Sequence, residues 1–239
     1  MAKEMKAKNL TKNDKNRNKF AYFWISFYII MLSLANILLA FLISHLSTTL
    51  TIITLAIVMV LTIWAWRQSF QDNLLYLHDV SNMFGGVLLG MLAAYWLSSQ
   101  EKLISFLIPI AIIDFISFTR FGRWTPNRKL IENITLAKRL SICMPIPGFS
   151  GLYQITGVGD MFVFALITGA TLKIWGISAI WMAITAIIVG QIPNIIGMLS
   201  FKNKSWYRGI PATSSPILIF IITIFLTNFG DTVNNNIKK

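Results

Sequence analysis

Two aspartates stand inside apolar runs of a chain that otherwise keeps its charge at the edges. Asp114 lies in IPIAIIDFISF, and Asp160 follows Gly157-Val158-Gly159 in ITGVGDMFVFALITG. The other acidic residues, Glu4, Asp14, Asp72, Asp79, Glu101, Glu132 and Asp231, fall in expected loops or tails. A carboxylate within a bilayer is expensive and is by default a functional group with a partner to be named. No Lys, Arg or His lies in the apolar runs near that depth, so each aspartate's natural partner is the other. Two adjacent carboxylates that share one proton can divide acid–base work. One takes a proton from water while the other gives a proton to a carbonyl, which is the chemistry of aspartic peptide hydrolysis. Such a pair titrates as a unit, so the residues alone assign neither role.

The elements that position the pair follow from composition. Of the 239 residues, 55% are hydrophobic and 13% charged, and the mean hydropathy is +0.65. A soluble domain carries about 25% charged residues, and a bilayer span takes roughly 20 apolar ones. The expectation is an all-α polytopic membrane protein with seven spans, near 20–44, 47–66, 82–98, 103–119, 156–173, 175–200 and 211–229. Residues 20–230 form one transmembrane domain, between a basic tail at 1–19 and a polar tail at 231–239. The first tail is too long and too polar for a signal peptide. Pro109 and Pro193 fall inside the fourth and sixth spans, where each removes a helical hydrogen bond.

Charge sets the orientation. All of the 21 Lys and Arg residues except Lys102, Lys173, Lys238 and Lys239 fall on one side of the alternating spans. Basic residues stay cytoplasmic. The N-terminus and the 120–155 loop are therefore expected inside and the C-terminus outside. The net charge of +12 reports this topology and not a nucleic-acid partner. The lone Cys143 excludes an intrachain disulfide, and His45 and His78 lack ligand spacing, so no metal and no cofactor is expected.

Depth links the two aspartates. If the fourth span leaves the membrane near Arg120, Asp114 is about 9 Å in from that face. If the fifth enters near Ile155 or Thr156, Asp160 is roughly 6–8 Å in from the same face. Antiparallel helices would then carry both carboxylates at one level in the cytoplasmic third. Gly157 and Gly159 remove bulk beside Asp160, which allows close backbone approach or ordinary small-residue helix packing. Downstream, Pro211-Ala212-Thr213 opens the last span on the same side. The stretch SICMPIPGFSGLYQI between the two aspartates is apolar but broken by Pro145, Pro147 and Gly148. It reads either as a connector along the membrane or as a segment that pairs with an unwound substrate by strand addition.

From Leu103 to Gly230 this order of motifs resembles the presenilin and signal peptide peptidase family of intramembrane aspartyl proteases. GVGDMFVFALITGA is similar to the family's GxGD helix, IIDFISFTRFG to the helix of its first aspartate, and Pro211-Ala212-Thr213 to its Pro-Ala-Leu motif. The resemblance implies that Asp114 and Asp160 are the catalytic pair and that Pro211, Ala212 and Thr213 help position a transmembrane-helix substrate. It also implies a presenilin-like bundle that lacks two N-terminal helices, in the presenilin orientation. The chain departs from the family pattern at Ile113, where the family has Tyr, and at Thr213, where it has Leu. Two other readings use the same aspartates: a prepilin or preflagellin peptidase, and a proton- or cation-coupled transporter or channel.

Overall fold

In the computed structural model the described residues are 2–67, 72–125, 128–129, 132–201 and 212–237. Seven long helices carry the chain: α1 (Ala2–Ser44), α2 (Thr48–Arg67), α3 (Asp72–Trp96), α4 (Gln100–Ser117), α6 (Val158–Trp175), α7 (Ile180–Phe201) and α8 (Ser214–Ile237). Between α4 and α6 lie a 3-10 turn (Arg120–Trp124), a short α5 (Ile134–Arg139) and two strands, β1 (Ser141–Pro145) and β2 (Leu152–Gly157). Five helical segments are long and apolar enough to cross a membrane: Lys19–Ser44, Thr48–Ala65, Tyr76–Trp96, Val158–Trp175 and Ile177–Ser200. The chain is thus a mostly helical, multi-pass membrane protein. α4 is 18 residues long and carries Glu101, Lys102 and Asp114, and the apolar part of α8 is the shorter Ser214–Asn228.

Helices dominate because each satisfies its own backbone polar groups, which lipid cannot do. Much of the outer surface is apolar, as lipid contact requires: Phe23, Leu38, Val60 and Leu226 are all more than half exposed. The interior centres on α6, whose residues from Val163 to Ala170 are buried almost without break. α3 packs along it through Gly86, Gly90 and Ala94, four residues apart. A Cβ at Gly90 would strike the Phe162 carbonyl oxygen and come within 2.9 Å of Leu166 N. This small-xxx-small spacing is the usual device for bringing membrane helices into backbone contact.

Several expectations need correction. Helical geometry begins at Ala2, so α1 takes in the basic segment that precedes the first apolar run. The third span was expected from 82; its helix begins at Asp72. Asp79 therefore lies on a helix, 8% exposed, and not in a loop. His78, Asp79, Ser81 and Asn82 hid the apolar pattern, because they face protein and not lipid. The fifth helix starts at Val158, not at 155–156, because Ile155 and Thr156 complete β2. β-Branched residues suit a pleated strand better than a helix start.

The 141–157 segment is an antiparallel hairpin, with Ser141 opposite Gly157, Pro145 opposite Leu152, and an irregularity between Ile142 and Cys143. Gly148 and Gly151 take φ of 80° and 91° in its turn, a region that L side chains rarely enter. Two helices hold the hairpin. Asp79 Oδ1 accepts from Cys143 N at 3.0 Å, and Asn82 Nδ2 donates to the Arg139 carbonyl at 2.7 Å. From α1, the Tyr28 hydroxyl donates to the Pro145 carbonyl at 3.0 Å.

Cys143 reports on this clamp. Burial, reinforced by the Asp79 carboxylate and partly offset by Lys138, pushes its thiol up to about 11. Because the thiolate is the nucleophile, almost none is present at pH 7.5. Native protein should therefore resist maleimide labelling at that pH. Asp79→Ala, which releases β1, should make Cys143 reactive within the same labelling time. Rapid labelling of the unsubstituted protein would show that the hairpin is not held as described.

Candidate active site

Asp114 sits one turn from the C-terminus of α4, and Asp160 is the third residue of α6. Each carboxylate is therefore at a helix end. Nearly all of what they accept comes from neutral donors. Asp114 Oδ2 receives Thr213 Oγ1 at 2.7 Å, Thr213 N at 3.0 Å and Ser214 N at 3.2 Å. Those two N–H groups are the free donors at the start of α8, where the helix dipole also favours an anion. Asp160 Oδ2 receives Gly157 N at 2.9 Å and Thr156 Oγ1 at 3.1 Å. The first of these is one half of a capping box, in which the third helical residue bonds the N-cap N–H. Glycine has no side chain to supply the other half.

The two aspartates lie in one neighbourhood, near enough for the charge of Asp114 to bear on Asp160, and no hydrogen bond joins them among the described residues. α4 ends at Ser117 and α6 begins at Val158, and the hairpin between them delivers Asp160 on the first turn of α6. α1 fixes that turn from another side: Asn36 Nδ2 donates to the Met161 carbonyl at 2.9 Å.

The expected role of the glycines is only partly right. Gly157 is the N-cap of α6, in extended conformation. A Cβ at Gly159 would meet nothing within 4 Å, so no close backbone approach requires that glycine. The close approaches occur elsewhere, at Gly86 and Gly90 on α3 and at Gly190 on α7, where an added Cβ would lie 2.5 Å from Pro216 Cα. Pro211 lies outside the described residues. Ala212 accepts from Asn194 Nδ2 at 2.9 Å and Gln191 Nε2 at 3.5 Å, and Ser215 Oγ donates to Asn194 Oδ1 at 3.3 Å.

Gln191 and Asn194, both buried, were not singled out from sequence, nor were Asn36, Asp79, Thr156 and Ser214. The available signal was a polar side chain inside an apolar run, as in GQIPN and LANIL, which in a membrane protein marks an interior face. A cavity of about 200 Å³ opens beside this network. Its walls include Ile29 and Ser33 of α1, Gln154 and Thr156 of β2, and Gln191 and Asn194 of α7. Thr156 thus touches both the cavity and Asp160.

No protein family, curated protein or solved structure matches the chain. The functional reading rests on the site itself.

Proposed function

We propose that the protein is an intramembrane aspartyl protease of the presenilin and signal peptide peptidase type. It hydrolyses peptide bonds within transmembrane helices, using Asp114, Asp160 and a water. One observation carries the reading: two carboxylates 46 positions apart in the chain come within reach of each other's charge and are held by hydroxyls and backbone N–H groups. An aspartate kept only for packing would be better satisfied by a cation or replaced by an apolar residue.

In the reaction one carboxylate removes a proton from water as the water oxygen bonds to the scissile carbonyl carbon. The other carboxyl gives its proton to the carbonyl oxygen. As the diol collapses and the C–N bond breaks, the leaving nitrogen takes the proton held by the first carboxyl and a diol hydroxyl gives its proton to the second carboxylate, which restores the single proton of the pair. A helical peptide bond must first unwind, because its carbonyl is occupied within the helix. The cavity beside Gln154 and Thr156, with its amide side chains, suits an exposed backbone. A strand in a two-stranded hairpin also keeps one free edge for an extended segment.

The test is cleavage of a panel of single-span substrates by the full chain in bilayers, with product masses mapped. The expected cuts lie toward the cytoplasmic face and are blocked by hydroxyl-containing peptides that mimic the tetrahedral intermediate. Absence of cleavage together with proton- or cation-coupled flux would move the transporter or channel reading to the front. Cleavage confined to the leader of pilin-like substrates would favour the prepilin-type peptidase.

The same reading takes all seven long helices as spans, with α4 and α8 crossing beside the five longer apolar ones. Tags at the two termini should then be accessible from opposite sides of the membrane, the N-terminal one from the cytoplasm. Accessibility of both tags from one side would rule out seven spans.

A further inference from the structure

We propose that Thr213 is a positioning residue that keeps Asp114 as the charged member of the pair and leaves the shared proton on Asp160. This rests on the protease reading above. It assigns the roles which that reading leaves open.

The geometry around each carboxylate differs in kind. Three donors converge on one oxygen of Asp114: the Thr213 hydroxyl and the N–H groups of Thr213 and Ser214. The Ser214 hydroxyl is also near that oxygen, at 3.3 Å, but it lies closer to the Ala111 carbonyl, at 2.9 Å. A hydroxyl has one proton to give, and a carbonyl can only accept. The Ser214 proton therefore goes to Ala111. Thr213 Oγ1 has no other acceptor among the described residues, so its proton goes to Asp114. At 2.7 Å this is the shortest of the three bonds to that oxygen.

Three donors on one oxygen suit a carboxylate and leave no room there for a carboxyl proton. Asp160 receives two donors, the hydroxyl being the longer at 3.1 Å. The second oxygen of each carboxylate accepts no hydrogen bond among the described residues, so the difference lies in the donors on Oδ2: three on Asp114, the shortest at 2.7 Å, against two on Asp160. The charged group facing Asp160 is Asp114, while Asp114 itself meets the hydroxyls and N–H groups of Thr213 and Ser214. The neighbouring polar groups on α7, Gln191 and Asn194, are neutral and bond Ala212 instead.

Asp114 is then the base that takes the proton from water, and Asp160 the acid that gives its proton to the carbonyl oxygen. The departure from the family pattern at position 213 has a physical meaning. A Leu there would keep the backbone N–H and lose the hydroxyl, the shortest of the three bonds.

The experiment compares Thr213→Val, which keeps shape and N–H but loses the hydroxyl, with Thr213→Ser, which keeps both donors. Cleavage is measured against pH with the full chain in bilayers. Thr213→Val should lower kcat roughly tenfold, as loss of one bond to a charged group does. It should also move the acid limb of the profile upward by about one pH unit. Thr213→Ser should restore both. A Val variant that is slower but keeps the unshifted profile, or a Ser variant as defective as Val, would overturn the proposal.

A second measurement is independent of turnover. Infrared titration of the bilayer protein should show a protonated carboxyl band that Asp160→Asn removes and Asp114→Asn leaves. The reverse pattern overturns the assignment even if Thr213→Val fails to fold. Failure of the protease reading looks different: no cleavage that depends on both aspartates, whichever residue carries the band.

Discussion

Asp160→Asn and Asp114→Asn should each reduce cleavage of a transmembrane substrate by roughly 10³-fold or more, the scale at which positioned acid–base groups act. One carboxyl cannot give and take a proton in the same step, so neither single variant retains a partial route. The fold should survive both changes. In Asp160→Asn the amide oxygen can still accept from Gly157 N and Thr156 Oγ1, which hold Asp160 now. In Asp114→Asn the start of α8 loses its anion, a loss on the order of 1 kcal/mol. Release of a buried charge offsets it. Turnover should be measured beside helicity and thermal unfolding in the same bilayers. A variant that folds normally and cleaves at the original rate would end the dyad mechanism, whatever the rest of the geometry suggests.

The second large effect is on stability. Gly90→Val should unfold or severely destabilise the protein, by about 3 kcal/mol or more, beyond the usual range for overpacking. The reason is what the new atoms would meet. A Cβ at Gly90 faces the Phe162 carbonyl oxygen, Ala165 Cβ at 2.9 Å and Leu166 N at 2.9 Å. Backbone cannot swing aside as a side chain can, so α3 would have to leave α6. Gly85→Ala is the control: its Cβ would meet Val58 Cγ1 at 3.7 Å, an ordinary contact, and should cost little. Unfolding monitored by denaturant titration in mixed micelles separates the two. Equal stability of Gly90→Val and Gly85→Ala would mean that α3 and α6 do not meet as described. Gly159→Ala completes the series. Open space surrounds that position, so any loss of cleavage there would concern substrate or water and not packing.

The sequence alone determined the membrane class, the helical content and the rarity of in-span carboxylates. These depend on quantities summed along the chain. An apolar run of the right length must be helical in lipid, and Asp114 and Asp160 stand out because their immediate neighbours are apolar. The Pro-Ala-Thr order is likewise a local reading, although Pro211 itself lies outside the described residues.

Tertiary structure decided what each polar group faces. Asp79 read as a loop residue because four polar side chains interrupt the apolar pattern near the start of α3. Only the fold shows that Asp79 and Asn82 reach the hairpin, where Asp79 meets Cys143 N, 64 residues away. The hairpin was not legible either, since a short run such as SICMP has no periodicity to separate strand from helix. Depth along each helix suggested a pairing of Asp114 with Asp160 and did not include the hairpin between them. α6 starts later than its apolar run, and β2 delivers the aspartate. Which donors hold each carboxylate was beyond any local pattern. Thr213 reaches Asp114 across 99 positions, and a hydrogen bond depends on distance and angle, which spacing along a chain does not contain.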